Sequence, residues 1–384
     1  MPTVGYATLQ VIPSFRGFAG LMIRETTAGS SQAAKQIEDK LTQAGDTAGR
    51  SVGQRVTAGL ETVHAAVGGI AGDIVGLGVA AAGIGGAIAA NANKAQIQAA
   101  LGISPAEASA AASTAGGLYA KGWGDSLQDV SASVVTVKQQ LSGLAGAGDV
   151  EGLSERALAL SRTFGEDVNG QVRAVAQMLR TGLASNATEA FDILTVGFQN
   201  GANKSQDLLD TFNEYGTQFR KLGLDGSTAL GLITQGLQAG ARDSDVVADA
   251  LKEFSIRAVD GSKTTIDAYK ALGLNVKATT KQMAAGGPAA ERGLQTVLDK
   301  LRQVKDPAKQ AQLAVALFGT QSEDLGKALY ALNPATAGAA KGMADVDGAS
   351  SRVADGMASA VSPVEQFKRS FQQTLATLAA EALP

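Results

Sequence analysis

The sequence predicts an all-α protein: a long N-terminal amphipathic and apolar helix, a central multi-helix globular domain, and the start of a further long helix, with one short strand near the N-terminus. Three observations carry this reading. Apolar residues recur in steps of three and four over most of the chain. Several of these runs open on Ser, Asp or Asn with Glu or Gln three residues on, the types that satisfy the free N–H groups of a first helical turn. The 384 residues are 45% apolar but only 4% aromatic, with 47 Gly, a composition for thin, closely approaching helices. Four regions follow: an N-terminal extension (1–30), a long helix (31–100), a helical domain (101–334), and an Ala/Gly-rich linker leading into a last helix (335–384).

In chain order, Thr3–Ile12 has the β-branched and aromatic mix of a strand, ended by Pro13. From Ser31 one helical face carries Ile37, Leu41, Ala44, Ala48, Val52, Val56, Leu60, Val63, Val67, Ile70, Ile74 and Leu77, at or near coiled-coil spacing. The successive fours from Ala44 to Leu60 stretch the period beyond 3.5, against a uniform left-handed supercoil. The other face is charged, from Lys35 to Arg55. This helix enters Ala66–Ala90, the most apolar stretch of the chain, whose single charge is Asp73. As a helix it would reach roughly 37 Å, against a bilayer core of roughly 30 Å. Gly68, Gly72, Gly76 and Ala80 make one smooth stripe, and Gly78, Ala82, Gly86 and Ala90 a second, where another backbone can come close. The stretch fits either a membrane-competent and self-associating segment or a buried helix. For the first role the residues are Gly68, Gly72, Asp73, Ile74, Gly76, Leu77, Ala80, Ile84, Ala87 and Ile88.

Beyond it, Ser104-Pro-Ala-Glu107 is a capped helix start. Asp125 with Gln128, and Asn186 with Glu189, open two further helices. Others are expected over Ser154–Phe164, Asn169–Leu183, Ser205–Leu222, Ser227–Ala239, Asp243–Ala258, Thr264–Leu272, Ala289–Gln303, Pro307–Phe318 and Ser322–Leu332. The passage near Leu179 (LRTGLASNATEAFDIL) echoes that near Leu237 (LQAGARDSDVVADAL), as a duplicated hairpin or as a recurring cap. Apolar spacing resumes at Val361, Val364, Phe367, Phe371, Leu375 and Leu378 and is still running near Pro384.

The same residues narrow function. With no Cys and one His, His64, thiolate zinc sites, disulfides and a Cys nucleophile are excluded, and a Ser–His–Asp triad nearly so. His64 reads as a helix surface residue. There is no Walker-type loop, HExxH, EF-hand loop or GxSxG, and the run Gly83–Gly86 does not follow a strand. Asp243, Asp245 and Asp249 sit at a helix start, where carboxylates favour the dipole, and read as caps rather than metal ligands. A net charge of −3 gives no general basic surface for nucleic acid. The N-terminus has neither the basic start nor the apolar core of a signal peptide. No cofactor or metal is expected.

The blocks VGYATLQVIPSFRGFAG (Val4–Gly20), YAKGWGDSLQDVSASVVTVKQQL (Tyr119–Leu141), Leu232–Leu274 and LFGTQSEDLGKAL (Leu317–Leu329) resemble, in order and spacing, the tail tape measure proteins of long-tailed phages and prophages of actinobacteria. That resemblance implies a non-enzymatic structural ruler that sets tail length. It would lie in the tail tube lumen after assembly in the host cytoplasm. Its implied partners are copies of itself, the major tail tube protein, tail assembly chaperones, distal tail or baseplate proteins, and the host membrane during genome ejection. No sequence-specific nucleic acid is implied. Members usually run on into long repetitive helical regions, whereas this chain stops after the first shared region. The alternative reading of the apolar stretch is a pore-forming or membrane-remodelling helical protein not of phage origin.

Overall fold

The computed structural model describes residues 91–340 and 342–382. The expected strand, the apolar segment and the long helix as far as residue 90 lie outside the described residues, while the last part of that helix, 91–100, is helical. The chain divides into two compact units, and one of them, Ala92–Phe371, holds nearly all the described residues. Among those residues every regular element is a helix and there is no strand.

A helical stretch over 91–101 leads into α1 (Pro105–Ala120), α2 (Leu127–Leu141), α3 (Val150–Phe164), α4 (Val168–Thr181) and α5 (Ala187–Gln199). Then come α6 (Leu208–Lys221), α7 (Gly226–Gln238), α8 (Ser244–Arg257), α9 (Lys263–Ala271), α10 (Val276–Ala284), α11 (Gly287–Arg302) and α12 (Pro307–Phe318). Three short turns follow, α13 (Gln321–Leu325), α14 (Ala328–Ala331) and α15 (Pro334–Ala337). A 3-10 turn (Met343–Asp345), α16 (Ala349–Ala360) and α17 (Pro363–Ala382) complete the chain.

The caps explain why the helices start where they do. Side chains of Ser104, Ser126, Asp149, Asp167, Asn186, Asp225, Asp243, Ser262 and Asn275 each accept an N–H from three residues on. Ser104 and Glu107 form the expected reciprocal pair, with the Ser104 N–H donating to the carboxylate at 2.9 Å. Two caps differ in frame from the sequence reading. α2 is capped by Ser126, which is extended and takes the Asp129 N–H at 3.1 Å, so Asp125 and Gln128 are left out. Adjacent Asp and Ser are both capping types, and the backbone selects the second. At α5, Asn186 caps as expected, but the Glu189 carboxylate accepts from the Ser185 N–H rather than from the cap itself.

Several helix ends share one joint. At Gly182 and Gly240 the backbone is left-handed (φ 73° and 105°), and the N–H of the next residue reaches a carbonyl five back: Leu183 to Met178 at 2.8 Å and Ala241 to Gly236 at 2.9 Å. The same bond runs from Leu224 to Phe219 and from Leu274 to Tyr269, where the sequence shows no echo. The echo is therefore a helix joint used repeatedly. It couples a Gly stop, an apolar residue and a fresh cap.

Other differences have local causes. α6 starts at Leu208 rather than Ser205 because Gln206 adopts φ 59°. The single helix expected over Ser322–Leu332 breaks into α13 and α14 at Gly326, φ 51°. α10 escapes the apolar pattern because it buries only Thr279 and Met283.

The main core lies among α2 to α15, where Phe191, Phe212, Phe219, Phe254 and Phe318 are fully buried. Phe254 of α8 stacks on Phe318 of α12 at 4.7 Å. The few aromatic residues are thus concentrated in the core, and small residues let the helices close around them. At Gly231 in α7 an added Cβ would stand 2.2 Å from the Ala337 carbonyl oxygen of α15. A smaller core joins α1, α2 and α3 around Trp123. The Ala/Gly-rich stretch read as a linker also packs. Met343, Val346 and Ala349 enter the main core, and Ala354 the smaller one. Small residues here serve close approach, which composition cannot tell from a linker.

Candidate functional site

Gly68, Gly72, Asp73, Ile74, Gly76, Leu77, Ala80, Ile84, Ala87 and Ile88, and also His64, lie outside the described residues, so the structure brings none of them together. Among the described residues no helix is long and apolar enough to cross a membrane. Nor does any group of three or more His, Cys, Asp or Glu among them stand ready to hold a metal.

The acidic cluster at the start of α8 is a tie between helices. Asp243 caps α8 through the Val246 N–H at 2.9 Å. Asp245 accepts from the Tyr215 hydroxyl of α6 at 2.9 Å, and its own N–H donates to Asp207 at 2.9 Å. Asp249 pairs with Lys252, whose ammonium lies 5.6 Å from the Tyr215 ring centre. Burial holds the Asp207 carboxyl above the usual aspartate range, and its Oδ1 has no hydrogen-bond partner. Burial, reinforced by the Asp245 hydrogen bond, raises the Tyr215 phenol well above its ordinary value. These groups hold α6 against α8.

The surface offers two further features. Lys300, Lys305 and Lys309 ring a cleft of about 350 Å³ over Leu272 and Val304, where α9, α11 and α12 meet. Asp306 lines it too, beside the three lysines. On α17, Val364 and Phe367 are exposed, and Phe367 stacks on Phe371 at 6.1 Å. These belong to the apolar row read from the sequence.

The sequence reading passed over Asp192. It lies within α5, between Phe191 and Ile193, and is only 4% exposed. Its carboxylate accepts from the Gly348 and Ser350 N–H groups, both at 2.8 Å, and from the Ser350 hydroxyl. It thereby caps α16, whose own cap position is a glycine without a side chain. Arg156 of α3 adds bonds to the Ser350 and Ser351 hydroxyls, at 3.1 and 2.6 Å. The signal was in view: a lone carboxylate inside the apolar run FDILTVGF needs a buried partner.

The described residues thus offer ties between helices, a lysine-lined cleft and an exposed apolar row. Residues 118–319, more than half of the chain, match the model of a family described as phage-related minor tail protein. The chain belongs to that family. Two curated relatives place this minor tail protein further. It is 44% identical over 222 residues to a "probable tape measure protein" of Streptomyces phage phiC31, covering 58% of this chain and 30% of that relative. It is 27% identical over 252 residues to the uncharacterized protein YqbO of Bacillus subtilis (strain 168), covering 65% of this chain and 16% of that one. The chain therefore spans less than a third of the length of these relatives. No solved structure matches it. The family match takes in the Tyr119–Leu141 and Leu232–Leu274 blocks that carry the resemblance to tape measure proteins.

Proposed function

We propose that this minor tail protein acts as a tape measure: a structural, non-enzymatic component that sets tail length and lies in the lumen of the tail tube. The observation that carries this is the 44% identity to a probable tape measure protein of an actinobacterial phage. An α-helix converts residue number into length at about 1.5 Å per residue, so extended helical regions can serve as a ruler. The partners in this reading are copies of the chain, the major tail tube protein, tail assembly chaperones and the distal tail or baseplate proteins. Assembly takes place in the host cytoplasm. On ejection the segment Ala66–Ala90 meets the host membrane, and the smooth faces at Gly72, Gly76, Ala80 and Ala87 are self-contact surfaces during storage.

The test is genetic. Removing residues 31–60 in frame from the phage gene should shorten the tail by about 45 Å at helical rise, read by electron microscopy of purified particles. Normal tails of unchanged length would overturn the ruler role.

A further inference from the structure

We propose that residues 343–371 form a releasable strap, clipped across the helical domain by Asp192 at one end and Arg369 at the other, which lifts as a unit before the core opens. The clip at Asp192 consists of directional polar bonds: two backbone N–H groups and a hydroxyl on one buried carboxylate, backed by Arg156 on Ser350 and Ser351. At the far end Arg369 donates to the Gly124 carbonyl at 2.9 Å, and its guanidinium sits 4.8 Å from the Tyr119 ring centre. The buried apolar side chains of the whole strap are Met343, Val346, Ala349, Ala354 and Val361, spread over 29 residues, whereas the 14 residues of α8 bury Val246, Val247, Leu251 and Phe254 among others. Hydrophobic stabilisation scales with the apolar area removed from water, so per residue the strap depends more on its clips, and less on burial, than α8 does. A segment with little apolar burial belongs to the low end of the local opening scale.

The cover is also imperfect. Trp123, in the same small core as Ala354, has an indole Nε1 without a hydrogen-bond partner, and so has the Ser154 hydroxyl on α3, the helix against which α16 packs. Lifting the strap lets water reach such groups, which lowers the cost of release. Residues beyond Phe371 belong to the other compact unit, so the strap is where the chain leaves this one. The use of such a release, yielding slack under tension without unfolding the domain, rests on the tape measure reading. The release itself does not.

Hydrogen exchange on the full chain, followed by mass spectrometry, tests it. In the unmodified protein, amides of 349–360 should exchange at least roughly tenfold faster than those of 246–257. Asp192→Ala should speed the strap by roughly a further tenfold or more, the scale of a hydrogen bond to a charged group, with 246–257 still the slower segment. Arg369→Ala, at the more exposed clip, should act in the same direction on 349–369, and it serves if Asp192→Ala does not fold. Equal protection of strap and α8 in the unmodified protein would overturn the proposal. So would variants at both clips that leave the exchange of 349–360 unchanged. Neither result bears on tail length, so the strap and the ruler fail separately.

Discussion

At the scale of single residues, the turns between helices are the sharpest test of the structure. Gly223 has φ 81°, and a Cβ there would lie 1.9 Å from the Gly287 carbonyl oxygen, a backbone atom that cannot swing away. Gly261 has φ 65° but open space around it. Both pay the left-handed penalty on substitution, but only Gly223 adds a clash. Gly223→Ala should therefore destabilise by about 3 kcal/mol, and Gly261→Ala by about 1 kcal/mol, when left-handed strain is combined with the cost of overpacking. Urea denaturation of the two variants measures both. Equal losses would show that the approach of Gly223 to Gly287 carries no weight.

At the scale of elements, the caps decide where helices begin, and a cap can be legible in type yet not in frame. Ser104 and Asn186 were read correctly. At α2 the neighbouring Asp125 and Ser126 offered two frames, and the backbone chose Ser126. Ser126→Ala should cost about 1 kcal/mol, and Asp125→Ala only a few tenths; thermal melts of the two variants decide the frame. The apolar stretch Ala66–Ala90 carries a single charge, Asp73. Its many Gly and Ala residues add little transfer energy, and Asp73 opposes insertion, by less than the roughly 2.5–3.5 kcal/mol expected at a helix centre. A peptide of this stretch should bind liposomes weakly, and Asp73→Leu should bind more strongly. If neither peptide sediments with lipid, the stretch has no membrane role of its own.

At the scale of the whole molecule, the matched family region and the folding unit do not share a boundary. The match ends at residue 319, yet Leu325, Leu329, Leu332 and Ala337 are buried in the same core as Leu230, Val247 and Leu298. Gln235 of α7 accepts from the Asn333 N–H at 2.7 Å, which fixes the returning chain against α7. A fragment of residues 92–319 would leave this apolar surface in water. It should melt non-cooperatively or aggregate, whereas residues 92–371 should unfold in one transition by circular dichroism. A cooperative 92–319 fragment would show that the last turns are an accessory.

What the sequence by itself determined about this protein is what depends on near neighbours along the chain. Helical class comes from three-and-four spacing, starts from Ser, Asp and Asn, and stops from left-handed Gly; all act within about two turns, so a single sequence displays them. The family was legible for a related reason, since the blocks around Tyr119–Leu141 and Leu232–Leu274 keep their order and spacing. Only the tertiary structure decided the rest. Asp192 meets Gly348 and Ser350 across 156 and 158 positions, Arg156 meets Ser350 across 194, and the Ala/Gly-rich stretch after Ala335 packs instead of linking. The sequence shows that the Asp192 carboxylate, inside an apolar run, needs a partner, but not which one, because the partner lies over 150 residues away and is set beside it only by the fold.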